Sequence, residues 1–206
     1  MPELKLSGLY RYPVKSLRGE AFEALEVMTR GPDHDREWML VDENGRFLTQ
    51  RQQPRMSLID ARVVDGDGLQ LRAPGMPDLQ VRGASATRLE VTVWSDRVAA
   101  APADPSCDAW FSEFLGIPCR LVRFPEDSQR AVDPAYALVD DEVGFADGFP
   151  FLLISQASLD DLNARLRVPV PMRRFRPNLV VSGCDPYAED GWRRIRIGNT
   201  EVNLVK

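Results

Sequence analysis

The sequence predicts a mainly β protein with a few helices. Two observations carry that reading. The first hundred residues are short apolar alternations separated by Gly/Asp turns, and only two later segments show helical periodicity. Closely spaced short strands with such turns build a barrel or a sandwich.

Taken in order, Leu4, Leu6, Leu9 and Tyr10 mark a first strand and residues 22–27 a second. Residues 38–41 and 46–49 flank a hairpin turn at 42–45, where Asn44 and Gly45 tolerate positive φ. A second turn at 65–68 separates strands at 58–64 and 69–71, and residues 89–94 turn at Ser95 and Asp96. The Ala/Pro-rich segment 99–105 reads as a break. Cys107, Trp110, Phe111, Phe114 and Leu115 then recur at helical spacing, and Gly116 ends that helix. Residues 125–148 are polar and Asp-rich and predict a long mobile loop, a length that usually serves function. Residues 149–154 predict a buried strand feeding a helix capped by Ser155, with Leu159, Leu162 and Leu166 as its buried stripe and Pro169 helping to stop it. Strand character resumes at 178–182. Ile195, Ile197, Val202 and Leu204 alternate in a last strand pair whose apolar face needs neighbours, so the chain is expected to stop short of a complete domain.

At 206 residues the chain can form one large domain or two small ones, and 44% hydrophobic with 28% charged residues is ordinary for a globular protein. A net charge of −5 argues against nucleic acid as the main partner, because neutralising phosphates needs clustered Lys and Arg. The local exception is an arginine-rich run, Arg165, Arg167, Arg173, Arg174 and Arg176, followed by Arg193, Arg194 and Arg196, which suits a small anionic ligand. No apolar stretch is long enough for a membrane-spanning helix, and the N-terminus lacks the pattern of a signal peptide. Cys107, Cys119 and Cys184 form neither a disulfide framework nor a metal-binding pair, which fits a reducing cytoplasm; Cys107 belongs to the core face of its helix.

Few residues announce chemistry. Lys15 and Ser16 follow the first strand, and a point charge beside a hydroxyl suits a phosphate, although such a pair in a turn is usually solvated surface. Arg36 sits beside Asp35 and Glu37 at a strand start, where spacing alone favours a surface salt bridge. In Arg176-Pro177-Asn178 the proline stiffens the backbone between a fork donor and an amide that both donates and accepts. That arrangement suits a mixed polar ring edge; spacing alone favours Arg176 pairing with a carboxylate and Asn178 capping a turn. His34, the single histidine, lies between Asp33 and Asp35 with no second His or Cys nearby, so it predicts surface rather than a metal site. The acid pairs at 140–142 and 160–161 suit an exposed loop and a helix start. Residues 144–148 match no phosphate-binding glycine loop.

Together the fragments resemble the two-part MOSC proteins, and among them the amidoxime-reducing components and their bacterial counterparts. The matching landmarks are Tyr12-Pro-Val-Lys15-Ser16, Asp35-Arg36 with Trp38, Thr49 with Arg51 and Pro54-Arg55, and Phe149-Pro-Phe151-Leu-Leu-Ile-Ser155. The most specific block runs from Phe175-Arg176-Pro-Asn178 through Ser182-Gly-Cys184 to Tyr187, Glu189, Asp190 and Trp192. The resemblance implies an N-terminal β-barrel-like domain over residues 1–120 and an incomplete MOSC β-barrel over 121–206. It implies that Lys15, Ser16 and Arg36 grip the phosphate of a molybdenum cofactor and that Arg176 and Asn178 hold its pterin. Gly148 and Phe149 stand at a cofactor-contacting turn, where only their backbone groups can act. Cys184 matches a cysteine that is not the metal ligand. In that family the metal-binding cysteine lies just beyond the segment that ends here, so it is expected after Lys206. This chain is then expected to carry no catalytic or metal-ligating residue, and to hold the cofactor weakly or not at all. The implied activity is reduction of N-hydroxylated compounds such as amidoximes and hydroxylamines, fed by an iron–sulfur or cytochrome electron donor. The rival reading is a non-catalytic module that binds the cofactor or carries sulfur.

Overall fold

A computed structural model describes residues 3–64, 66, 68–137 and 141–205. Asp65 and Asp67 of the turn expected at 65–68, Asp140 of one acid pair, and Met1, Pro2 and Lys206 lie outside the described residues.

The strands of the first half are β1 (Lys5–Arg11), β2 (Glu20–Phe22), β3 (Val27–Met28), β4 (Gly31–Pro32), β5 (Trp38–Val41), β6 (Asp60–Val64), β7 (Gly68–Arg72), β8 (Leu79–Val81), β9 (Leu89–Val93) and β10 (Asp96–Pro102). Helix α1 (Pro105–Leu115), β11 (Arg120–Arg123), β12 (Leu153–Ser155), α2 (Gln156–Arg165), β13 (Leu179–Ser182), β14 (Arg194–Ile197) and β15 (Thr200–Asn203) follow. The mainly β expectation holds.

One four-stranded sheet runs β5-β11-β10-β9 and another β12-β13-β1-β2, with β6-β7-β8 as a third. β5 explains why residues 38–41 form an unbroken apolar run. Trp38 and Leu40 face one core with Phe111, Phe114, Met56, Leu69 and Leu71, while Met39 and Val41 face a second with Val91, Val93, Val98, Val122 and Phe145. A strand buried on both faces has no use for polar alternation.

Helix α1 forms as its local signals require. The Asp104 side chain accepts from the Ser106 amide, Pro105 opens the first turn, and Gly116 closes the helix at φ 73°. Cys107, Trp110, Phe111, Phe114 and Leu115 are all buried. In α2 the Ser155 hydroxyl accepts from the Ser158 amide at 3.0 Å as expected. Its stripe is narrower than predicted: Leu159 is buried and Leu166 is exposed.

Other expectations are corrected. Residues 99–102 are not a break but the second half of β10, because Ala100 and Ala101 find burial between paired neighbours. Only Leu153–Ser155 of the segment 149–154 extends as strand. The segment 125–148 is no bare polar loop. Val132, Val143, Phe145 and Ala146 are buried, and Ala131 bridges Glu142 in antiparallel fashion.

One sheet draws strands from both ends of the chain, and another joins an early strand to a mid-chain one. β1 lies between β13 and β2, with Leu9 opposite Leu179 and Phe22, and β11 pairs with β5 in register Leu121 to Leu40. The first of these pairings carries residues 12–18 and 176–178 to one edge, where the site forms.

Candidate anion-binding site

The loop leaving β1 is locked by its main chain. The Lys15 amide donates to Trp38 O at 2.7 Å, the Trp38 amide to Pro13 O at 3.0 Å, and the Arg36 amide to Tyr12 O at 2.8 Å. Asp35 is buried and ties the turn together. It accepts from the Tyr12 amide at 2.8 Å and from Asn178 Nδ2 at 3.1 Å, and it pairs with the Arg36 guanidinium. Arg36 also donates to Asn178 Oδ1 at 2.8 Å and to Arg176 O at 2.9 Å. Arg176 in turn donates to Leu17 O. Both guanidinium groups lie over the Tyr12 ring, with centroid distances of 4.5 and 4.3 Å. The sequence expectation of a surface salt bridge at Arg36 is corrected here. Asp35 is inside, and Arg36 is only 11% exposed at its side chain.

Lys15 reaches into the same region from below. It is 5% exposed, and its ammonium donates to Phe145 O at 2.7 Å and to Asp147 Oδ1 at 2.5 Å. Burial pushes its pKa down to about 8, against the pull of Asp147. Burial and then the Arg36 charge push the Arg176 guanidinium down to about 9, where it still keeps its proton at neutral pH. Burial pushes the Tyr12 hydroxyl up to about 12 although Arg176 and Arg36 oppose this. Desolvation pushes the Asp147 carboxyl up, but the Lys15 ammonium overrides it and holds the group below the usual carboxylate range.

Three of these positions carry backbone strain. Ser16, Arg36 and Arg176 have φ of 67°, 50° and 61°, in the left-handed region that non-glycine residues seldom occupy. The network over-determines them. Among the described residues, buried Arg176 Nη2 and Tyr12 Oη have no hydrogen-bond partner, so donor capacity is left over.

The structure thus ties Arg36, Arg176 and Asn178 into one hydrogen-bonded network, while the Lys15 ammonium bonds Phe145 O and Asp147 beside it, near enough for the Arg36 charge to act on it. Ser16 adjoins it: its carbonyl accepts from Gln50 Nε2 at 2.8 Å. Gly148 directly follows Asp147, the partner of Lys15, and, having no side chain, makes no side-chain contact with the Arg36 network. Phe149 packs with the Val132 cluster and lies 5.9 Å, edge-on, from Tyr136. Asn178 is saturated internally, since its Oδ1 also accepts from the Leu152 amide at 3.2 Å and its Nδ2 donates to Tyr10 O at 3.1 Å. Its task in this arrangement is to position Arg36. Sequence reasoning gave no role to Asp147 or Tyr12. No motif marks either one, since each is recruited by pairing across the fold. His34 is half-buried, its ring 3.3 Å from Asp33 and 3.2 Å from Glu37, but Glu37 is also held by Arg123 at 3.3 Å. A cleft of about 420 Å³ borders the same turn through Asp33, His34 and Glu37.

A strand-built scaffold with a cationic cluster beside the end of its first strand and the start of its thirteenth is the framework on which family comparison bears. The profile of the MOSC N-terminal beta barrel domain matches residues 3–118, and that of the MOSC domain matches residues 140–206. The chain belongs to the MOSC proteins that carry this N-terminal barrel. It is 36% identical to mitochondrial amidoxime-reducing component 1 of Mus musculus and of Homo sapiens, over 97% of this chain and 62% of each relative. It is 33% identical to molybdenum cofactor sulfurase of Oryza sativa subsp. japonica, over 95% of this chain and 26% of that protein. The chain thus spans less than two thirds of the length of these relatives. Among the described residues no helix is long and apolar enough to cross a membrane.

Proposed function

We propose that this chain is the cofactor-holding part of a molybdenum-dependent reductase of N-hydroxylated compounds, with the seat at Lys15 and Arg176 taking the cofactor's phosphate. The observation that carries this reading is the unspent donor capacity there. Arg176 Nη2 is buried without a partner, and the Lys15 ammonium has used two of its three N–H groups. The donor set therefore fits an anionic phosphate. The Ser16 hydroxyl, for which the described residues supply no acceptor, is a further donor at the rim. Arg36 contributes charge from behind, and Asp35 and Asn178 keep it in place.

When bound, the cofactor supplies the two-electron chemistry by which an N–O bond is cleaved, with uptake of two protons and release of water. The residues of this chain bind and orient. Lys15 and Arg176 fix the anionic end, and the strained turns at Ser16, Arg36 and Arg176 hold those donors in place before the ligand arrives. Electrons would come from an iron–sulfur or cytochrome donor, and the free thiols Cys107, Cys119 and Cys184 suit a reducing compartment.

A second reading, a non-catalytic module that binds the cofactor or carries sulfur, is favoured by the 33% identity to a molybdenum cofactor sulfurase. The test loads the purified chain with molybdenum cofactor and measures pterin retained after gel filtration. Wild type should retain a weakly held but measurable fraction, and Lys15→Met and Arg176→Met should each lose about tenfold in affinity, as expected for removing a charged phosphate contact. Equal retention by Lys15→Met would remove the phosphate-seat reading. Conversion of benzamidoxime to benzamidine by the loaded protein with a chemical reductant would decide for the reductase over the module.

A further inference from the structure

The Lys15 ammonium already has an anion against it. Asp147 Oδ1 lies 2.5 Å away, and the same oxygen accepts from Trp94 Nε1 at 3.2 Å. Trp94 itself turns at φ 56° and packs on Phe47 at 4.9 Å, whose ring lies 5.4 Å from the Lys15 ammonium. The seat is therefore closed by the chain's own carboxylate. Among the described residues the remaining charges are uneven: beside the Arg130–Asp96 pair, Lys15, Arg36 and Arg176 have one other carboxylate, Asp35. With Asp147 in place one positive charge is left over; with Asp147 turned out there are two, the charge of a phosphate monoester at neutral pH.

Opening needs little movement. The Asp147 side chain is 76% exposed, so it can turn outward into solvent, giving up its bonds from Lys15 and Trp94 for hydration. Its main chain stays fixed, because Arg130 donates to Gly144 O at 2.9 Å, Ala146 O at 2.6 Å and Asp147 O at 3.0 Å. Arg130 cannot replace Lys15 as a partner, since its Nε is held by Asp96 at 2.7 Å.

Building on the phosphate-seat reading, we propose that Asp147 is an internal competitor for the anion seat. Its carboxylate holds Lys15 and Trp94 until a phosphate dianion displaces it by side-chain rotation alone. A tethered carboxylate is present at high effective concentration, so every anion meets the same competition for the seat. A dianion competes best, because it matches both charges of the opened seat. Displacement weakens every ligand of the seat by the same factor, the fraction of molecules that are open.

The experiment titrates the full chain with methyl phosphate and with dimethyl phosphate at pH 7.5 by calorimetry, in wild type, Asp147→Asn and Asp147→Ala. Circular dichroism confirms that both exposed-site variants fold. The expected result is that both variants bind both esters more tightly by one common factor, about tenfold, so that the ratio between esters is unchanged. Adding Lys15→Met should abolish the gain. An unchanged or weakened affinity in both variants would overturn the proposal while leaving the phosphate seat standing. A gain much larger for methyl phosphate than for dimethyl phosphate would also overturn it, because Asp147 would then act by repulsion without moving. Binding of neither ester to any of the proteins would remove the seat and the competitor together.

Discussion

Lys15 is the residue on which most of the site's behaviour turns. The folded chain releases its proton near pH 8, against 10.5 for an unperturbed lysine. Between those values the unfolded state binds more protons, so stability rises with pH across that window. Below pH 8 the full penalty stands, on the order of 3 kcal/mol. Lys15→Met should therefore raise the melting temperature at pH 7, by less than the full penalty because Phe145 O loses its donor, which costs about 1 kcal/mol. The advantage should shrink between pH 8 and 10, and melting curves of both proteins across that range check it. Tyr12, shifted upward to about 12, works in the opposite sense and lowers the stability of both proteins above pH 10. At this scale the sequence was partly readable. Lys15 beside Ser16 suggested a phosphate on chemical grounds, whereas Arg36 looked like surface. Its neighbours in sequence do not show that Asn178 arrives 142 positions later to accept from it. Asp147 was visible as an acid with no signal attached, since a competitor needs no motif.

Elements were legible where their signals are local. The helical spacing of Cys107, Trp110, Phe111, Phe114 and Leu115 and the closing Gly116 define α1 within a dozen residues, and both hold, whereas the Asp104 cap and the opening Pro105 lie in what reads as a break. Asp104→Ala should cost about 1 kcal/mol in a urea titration, because it frees the Ser106 amide without disturbing the buried stripe. A loss of more than a few kcal/mol would mean that the cap supports something beyond the helix. Elements whose state is decided by partners were misread. Residues 99–102 carry three alanines and a proline, poor strand formers, yet β10 pairs with β9 along Asp96–Ala100 and with β11 at Ala101 and Pro102. The segment 125–148 looked polar because its acids dominate by number. Its structure follows from a minority of buried residues, Val132, Val143, Phe145 and Ala146, and from Arg130 gathering its carbonyls.

The molecule as a whole divides less cleanly than its sequence patterns do. The family resemblance and the two family matches both suggest an N-terminal and a C-terminal part. The sheets cut across that line, with β1 beside β13 and β11 between β5 and β10. Residues 1–120 and 121–206 expressed apart should therefore show little native structure by circular dichroism and amide-exchange NMR. Co-expression should restore a folded complex; an independently folded C-terminal piece would show that β1 is dispensable to it. The central place of β1 also sets a clock. Ser7 donates to Val180 O, 173 positions further along the chain. On a ribosome adding about 5–20 residues per second, the first strand waits roughly ten to thirty seconds before the strand it needs exists. Until then its apolar edge is open to chaperones and to other nascent chains, and the seat lacks Arg176. The proposed seat therefore cannot take an anion before residue 176 has been added, whatever the supply of anion in the cell.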